Sequence, residues 1–375
     1  MKLGFDGKRA LQNFTGLGNY SRYILEILSA KFPQNQYLVY CPKKQITDRT
    51  KHLYRLKSVV LRFPESKALK SFWRSFGIIK DLQKDNVQLY HGLSNEIPFG
   101  ISKAGIKSIV TIHDLIYIRF PQFYPLLDRK IYAFKFKFAC KNADKIIAIS
   151  EQTKKDIIQF FGIPANKIEV IYQNCSSIFS ETKTETELLE IAAKYSLPSK
   201  YLLSVGSIET RKNLLLIVKS LTLIPTDIHL VVVGKETAYT KIVKDYIASQ
   251  NLVNRVHFLK NIPFSELPGI YQLSEIFIYP SRFEGFGIPI IEALQSGVPV
   301  IAATGSCLEE AGGPDSRYIH PDNEKDLADT INFILGNPDE KHKMIESGKE
   351  YAKRFADEII AGQLIELYQN TLRDA

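Results

Sequence analysis

Two carboxylates, Glu284 and Glu292, bracket the run Glu284-Gly285-Phe286-Gly287-Ile288-Pro289-Ile290-Ile291-Glu292. Pro289 marks a helix start, because its fixed φ and missing N–H suit a first helical position. Glu284 then falls in the loop before the helix and Glu292 on its first turn. The N–H groups of residues 285–288 would open that helix, and with the helix dipole they suit a phosphate. Acceptor-only carboxylates on either side can hold hydroxyls of a sugar or ribose. The turn therefore fits a ligand that is part phosphate and part polyol, such as a nucleotide sugar.

A second cluster lies upstream, in Val205-Gly206-Ser207-Ile208-Glu209-Thr210-Arg211-Lys212-Asn213. Arg211 offers a planar fork of donors and Lys212 a point charge, a combination suited to a diphosphate. Two carboxylates alone would also fit the acid and nucleophile of a glycoside hydrolase. The glycine turn and the Arg-Lys loop favour a phosphate leaving group instead. Three further loops carry candidates. Gly16 and Gly18, in Thr15-Gly16-Leu17-Gly18, allow positive φ and close backbone approach before a periodic helix through Tyr23, Ile24 and Leu28. They read either as a plain turn or as a phosphate- or acceptor-facing loop. His113 precedes Asp114, which could orient the imidazole or cap the following segment. Ser306 either contacts phosphate or ribose or caps a helix, with Glu309 completing a capping box.

These loops all follow short apolar runs. The spacing predicts strands over 37–40, 87–90, 107–112 and 145–149, then over 201–205, 228–233, 256–258, 276–279 and 299–302, besides a strand-like opening at 2–6. Alternation with helical patterns argues for α/β architecture with parallel sheets. Two sets of strands imply two doubly wound, Rossmann-like domains, with the polar stretch 176–199 as their junction. Ligands of such sheets sit at the carboxyl ends of the strands, and the cleft between two domains is the natural site. The basic segment 67–80 carries a stripe of Leu69, Phe72, Phe76 and Ile79. It reads as a core-packed helix with a solvated rim, or as a membrane-surface helix; the ordinary helical stripe favours the core.

The 375 residues, 45% hydrophobic and 24% charged, describe a globular protein of two moderate domains. Cys41, Cys140, Cys175 and Cys307 are widely spaced, which disfavours structural zinc and disulfides and points to a reducing, cytoplasmic setting. No secretory leader and no run of bilayer-spanning length is expected. The formal charge of +9 favours anionic partners, either phosphorylated substrates or an acidic membrane surface. No nucleic-acid module is apparent.

In this order the motifs resemble the retaining glycosyltransferases of family 4, which have the GT-B fold. The E-x7-E at Glu284 and Glu292, the loop from Gly206 to Asn213, His113-Asp114, and Gly16-Leu17-Gly18 carry the resemblance. The opening Phe5-Asp6-Gly7-Lys8-Arg9 is similar to that of a subgroup with many bacterial mannosyltransferases. The resemblance implies two Rossmann-like domains facing a cleft. These would be an acceptor-side domain (1–178), a donor domain (179–355) and a terminal helix (356–375) crossing back to the first. It implies that Arg211 and Lys212 neutralise the donor diphosphate, Glu284 binds sugar hydroxyls and Glu292 holds the ribose. Phe286, Gly287 and Ile288 would offer N–H groups, His113 would contact the donor sugar, and Gly16, Gly18, Gly206 and Ser306 would line the site. It further implies a metal-independent, retaining hexosyltransferase with no cofactor, using a GDP- or UDP-linked donor. The acceptor would be a saccharide or lipid-linked saccharide of a cell-surface polysaccharide such as lipopolysaccharide, at the inner face of the membrane. A nucleotide-sugar epimerase or a non-catalytic GT-B binding subunit are the competing readings. A dinucleotide oxidoreductase is disfavoured by the missing G-x-G-x-x-G.

Overall fold

The computed structural model describes residues 1–65 and 72–373 and divides into two compact units, Met1–Gln173 with Phe355–Ala375, and Asn174–Arg354. The first unit holds seven parallel strands: β1 (Lys2–Asp6), β2 (Gln36–Tyr40), β3 (Val59–Arg62), β4 (Leu89–Gly92), β5 (Lys107–Ile112), β6 (Lys145–Ala148) and β7 (Ile168–Val170). Their order is β3-β2-β1-β4-β5-β6-β7. The second unit holds six: β8 (Tyr201–Val205), β9 (His229–Val233), β10 (Val256–Leu259), β11 (Ile276–Tyr279), β12 (Val300–Ala303) and β13 (Arg317–Ile319), in the order β10-β9-β8-β11-β12-β13. Central strands such as β11 and β12 are buried along their whole length, as expected for parallel strands covered on both faces. This is the doubly wound α/β architecture.

Strand order reverses at β1, which pairs with both β2 and β4, and at β8, which pairs with both β9 and β11. At such a switch the following connections leave toward opposite faces, so the loops beyond the carboxyl ends splay apart and leave room for a ligand. In the second unit those are the loops carrying Arg211 and Lys212 and carrying Glu284.

Strands 107–112, 201–205 and 276–279 have the predicted bounds. The one predicted at 87–90 begins later, at Leu89, because the Val87 N–H closes the preceding helix on the Leu82 carbonyl at 2.9 Å. The strands not predicted, β3, β7 and β13, are edge strands of three or four residues, too short to carry a pattern. The junction expected within 176–199 falls slightly earlier, after Gln173, and the polar run encodes a helix start. Thr184 and Glu187 form a reciprocal capping box for the helix Glu185–Tyr195.

The segment 67–80 also departs from its core reading. Its first five residues, Leu69 included, lie outside the described residues. Trp73–Gly77 forms a π-helical turn, which shifts the stripe out of phase. Phe72 and Phe76 are exposed and stack on each other at 5.1 Å. No helix among the described residues is long and apolar enough to cross a membrane.

The helix Asp357–Arg373 belongs to the first unit and packs on the helix Gly16–Lys31. Its Tyr368 is buried, with the hydroxyl 2.8 Å from His91 Nδ1, while His91 Nε2 lies 2.8 Å from Thr111 Oγ1. Burial pushes the His91 imidazole down to about 3, so the ring is neutral and matches one donor and one acceptor. Tyr368→Phe leaves one ring nitrogen unpaired and should lower stability by about 1–2 kcal/mol in urea unfolding, with little change in nucleotide binding.

Candidate active site

The site in the second unit is built from two loops laced together by backbone. Beyond β8, Gly206 takes φ +144 and its N–H bonds the Val233 carbonyl at 2.9 Å. The loop presses on Gly234, where a Cβ would come within 1.8 Å of the Gly206 carbonyl oxygen. Thr210–Lys212 makes one 3-10 turn, and Asn213 follows in the left-handed region at φ 58. The Asn213 amide donates to the carbonyls of Pro280 (3.3 Å) and Pro321 (2.7 Å). The Arg282 N–H donates to the Arg211 carbonyl at 2.9 Å. Backbone and Asn213 contacts thus hold the loops after β8 and β11 in register, and charged side chains add to this.

Onto this frame Glu284 is set within an ion cluster. Its carboxylate pairs with Arg211 Nη1 at 2.7 Å and Lys212 Nζ at 2.8 Å, and accepts from Ser281 Oγ at 2.7 Å and Tyr279 OH at 3.1 Å. Burial alone would raise this carboxyl. The charges and hydrogen bonds of Lys212 and Arg211 outweigh burial and hold it at about 2. Arg211 also pairs with Glu209 at 2.9 Å and donates to the Phe283 carbonyl. Lys212 contacts the Tyr279 hydroxyl and lies over its ring, 4.7 Å from the centroid.

The helix Ile288–Gln295 begins as the sequence predicts, with Pro289 in its first turn and Gly287 before it at φ +148. A side chain at Gly287 would meet Ala311 Cβ at 3.1 Å, so both backbone strain and space demand glycine. Gly285 and Phe286 make contacts of their own. The N–H groups of Gly287 and Ile288 have no acceptor among the described residues. Glu292 is the fifth residue of this helix, past the first turn where the sequence placed it, and accepts from Tyr271 OH at 2.8 Å. Burial raises its carboxyl to about 7, against the opposing pull of the Tyr271 hydrogen bond and the Lys212 charge. The Cys307 thiol bonds the Glu284 and Phe286 carbonyls at 3.1 and 2.8 Å, which seats the loop after β12 against the turn. The neighbouring Ser306 forms no capping box: the helix Leu308–Gly312 starts at Cys307 without a side-chain cap. Ser306 Oγ is instead buried with no hydrogen-bond partner.

In the first unit His113 follows β5 and is buried. Its Nε2 lies 2.9 Å from the Leu93 carbonyl, and its ring meets Tyr20 edge-on at 4.7 Å. Burial lowers the imidazole to about 4, so the ring is neutral and Nε2 carries the proton donated to Leu93. Asp114 does not orient this ring; its carboxylate accepts from the Ile116 N–H at 3.1 Å and caps the next turn. Gly16 and Gly18 are not at positive φ: both sit in the helix Gly16–Lys31. Gly18 is required for a different reason, since a Cβ there would lie 1.8 Å from the Asn13 carbonyl oxygen, whereas Gly16 has open space.

Two family models match consecutive parts of the chain, glycosyltransferase family 4 over residues 16–173 and glycosyl transferases group 1 over residues 190–351. The chain belongs to the family 4 glycosyltransferases. It is 28% identical over 289 residues to the O-antigen chain mannosyltransferase B of Escherichia coli, covering 75% of this chain and 74% of that one. Its fold is GT-B. A glycosyltransferase of Rickettsia africae superposes with a TM-score of 0.79 at 20% identity, over 100% of this chain and 99% of the other. Anabaena Alr3699/HepE, solved in complex with UDP and glucose, gives 0.79 at 17% identity, over 99% and 100%.

Sequence reasoning about this glycosyltransferase put Glu284, Arg211 and Lys212 in one donor site without pairing them, and the fold joins all three in one ion cluster. It gave no role to Ser281 and Tyr279, three and five residues before their partner Glu284, or to Tyr271, which lies 21 residues before its partner Glu292. It also passed over Arg9, whose Nε is buried without a hydrogen-bond partner just beyond β1. A second ion network stands at the same strand end. Buried Asp6 pairs with Arg74 at 2.8 Å, and Arg74 and Lys135 share Glu96 at 3.0 and 3.2 Å. Arg74 lies 68 residues from Asp6, a separation that carries no sequence signal.

Because Glu292 has a raised carboxyl, folding takes up a proton there between pH 4.5 and about 7. The stability this gives is complete below the unfolded value and is lost as pH rises through the folded one. Relative to wild type, Glu292→Gln should therefore gain stability as pH rises from 4.5 to 7.5, by up to about 3 kcal/mol. Urea unfolding of both proteins across that range measures it; a constant difference would remove the shift.

Proposed function

We propose that the protein is a retaining, metal-independent hexosyltransferase. It would move mannose from a GDP-linked donor, or a hexose from a UDP-linked one, to a saccharide or lipid-linked saccharide of a cell-surface polysaccharide. The observation that carries this reading is the buried Arg211–Lys212–Glu284 cluster beside the glycine-opened helix at Gly287. The similarity to an O-antigen mannosyltransferase supports mannose and a lipopolysaccharide setting. The UDP bound by the Anabaena protein supports the alternative base.

In the proposed reaction the bond from the anomeric carbon to the leaving phosphate oxygen breaks, and a bond from that carbon to the acceptor hydroxyl oxygen forms on the same face. The acceptor proton passes to the departing phosphate. Negative charge grows on the diphosphate as the bond opens, and cations already in place stabilise it with little reorganisation. Arg211 and Lys212 supply that charge, with the Gly287 and Ile288 N–H groups adding helix-terminus polarity. Glu284 holds the two cations in position and offers acceptor oxygens to sugar hydroxyls. Glu292 accepts from the ribose hydroxyls, and Ser306 gives its unpaired hydroxyl to phosphate or ribose. No cofactor enters this scheme.

Calorimetry with GDP and UDP in the presence of EDTA tests the site. Micromolar binding of one nucleotide without metal is expected, and binding of neither would overturn the reading. Affinity should fall as pH drops below about 7, because a ribose-bound Glu292 must be ionised. Arg211→Ala should weaken nucleotide binding about 10- to 100-fold, as for the loss of a charged hydrogen bond. Glu284→Ala should reduce turnover by about a hundredfold or more with a smaller loss of affinity. Unchanged turnover would remove Glu284 from the chemistry.

A further inference from the structure

The carboxyl end of β1 carries more positive charge than its own carboxylates balance. The strand turns into the short helix Lys8–Gln12 at Gly7, where a Cβ would collide with Cys41 and Val39. This close approach sets Lys8 and Arg9 directly beyond the strand end, with the Lys8 N–H donating to the Asp6 carboxylate at 3.1 Å. The carboxylates that act on Lys8 are already taken, Asp6 by Arg74, and Glu96 by Arg74 and Lys135. The side chains of Lys8 and Arg9 make no hydrogen bond or ion pair among the described residues.

Each cation shows the imbalance in its own way. Arg9 Nε is buried without an acceptor, a condition that native structures rarely tolerate. Burial lowers the Lys8 ammonium, the charges of Arg74 and Arg9 push the same way, and Glu96 and Asp6 only partly offset them. The Arg9 charge also reaches His113 beyond β5, where it adds to burial in keeping the imidazole neutral. β1 is the strand at which the sheet order reverses, so its carboxyl end borders the crevice in which ligands of such sheets bind. A pair of unmatched cations at that place fits an anionic group on the ligand.

We propose that Arg9 and Lys8 bind the phosphoryl group of an acceptor whose sugar is joined directly to a phosphate or diphosphate. The choice of anion follows from shape and charge. Arg9 offers a planar fork of donors and Lys8 a point charge, a combination that matches phosphate oxygens. Two unmatched positive charges suit a phosphate monoester or a diphosphate, each carrying about two negative charges at neutral pH. The carboxylate of an acidic sugar would bring only half of that. The donor diphosphate is met in the second unit by Arg211 and Lys212 under the proposed function, which leaves this second pair of cations to the acceptor. The inference rests on the transferase reading and narrows its acceptor to a sugar next to phosphate, as opposed to the far end of a long saccharide. Arg9 and Lys8 make and break no bond in this scheme; they hold the acceptor.

Calorimetry on the full chain with GDP or UDP already bound tests it, the nucleotide keeping the probes out of the donor site. The probes are glucose, glucose 1-phosphate, and glucose linked through diphosphate to a short, water-soluble prenyl chain. Both phosphorylated probes are expected to bind at least about tenfold more tightly than glucose. Arg9→Gln and, separately, Lys8→Gln should each remove about tenfold of that affinity and leave nucleotide binding unchanged. Neither substitution takes a partner from another side chain, so both variants should keep the wild-type melting temperature; if Arg9→Gln does not fold, Lys8→Gln decides. Tighter binding of the prenyl probe than of glucose 1-phosphate would assign the site to a lipid-linked diphosphate, and equal binding to the phosphate of a soluble sugar. Phosphorylated probes that bind no better than glucose, or a preference that survives both substitutions, would overturn the proposal. A loss of nucleotide affinity in either variant would also overturn it, by placing these cations in the donor site. Absence of GDP and UDP binding by wild type would instead count against the transferase reading, and an Arg9-dependent preference for glucose 1-phosphate would still support this site.

Discussion

The carboxylate of Glu284 is the point on which the second unit's site depends. It stands among Arg211, Lys212, Tyr279 and Ser281, and without it two cations would face each other in a poorly solvated space. Removing one partner of such a cluster costs about 3–5 kcal/mol in general, because the remaining charge is left uncompensated. Two positive charges are thereby kept close together around one carboxylate. The backbone sets this up. Asn213 in its left-handed turn, the Gly206–Gly234 contact and the Arg282–Arg211 hydrogen bond fix the loops, so the side chains inherit their positions.

The first unit repeats the arrangement with different chemistry. Asp6 ends β1, the strand at its topological switch, and is buried against Arg74 in a network with Glu96 and Lys135. Burial would raise the Asp6 carboxyl, but the Arg74 charge and hydrogen bonds keep it below its usual value. His113, at the end of β5, goes the other way: burial makes it neutral, with one nitrogen spent on the Leu93 carbonyl. A ring in that state can orient and hydrogen-bond a ligand. It is not an acid at neutral pH.

Burial also separates the two roles of the E-x7-E pair. The carboxyl of Glu284 is pulled down by adjacent cations, while that of Glu292, with a tyrosine hydroxyl as its near partner, is pushed up. Identical side chains eight positions apart thus differ in charge over the physiological range. Ser306 and Arg9 show the converse condition, polar atoms buried with no hydrogen-bond partner among the described residues, which is uncommon in native structures.

Much of this was legible in the residues alone. Strands buried on both faces announce themselves as Val- and Ile-rich runs, and Pro289 after Gly287 announces a helix start, because both are local effects of backbone geometry and burial. The E-x7-E and Arg-Lys loops were legible for the same reason, each being contained within a few residues. What the sequence hid was everything that depends on partners distant in the chain: Arg211 reaching Glu284, Arg74 reaching Asp6, Tyr271 reaching Glu292. The polar run at 182–187 read as part of the junction because a capping box and a domain boundary share a composition. Phe72 and Phe76 read as core because a helical stripe does not state which way it faces. Periodicity specifies which residues share a side, and only packing against the rest of the fold decides whether that side meets protein or solvent.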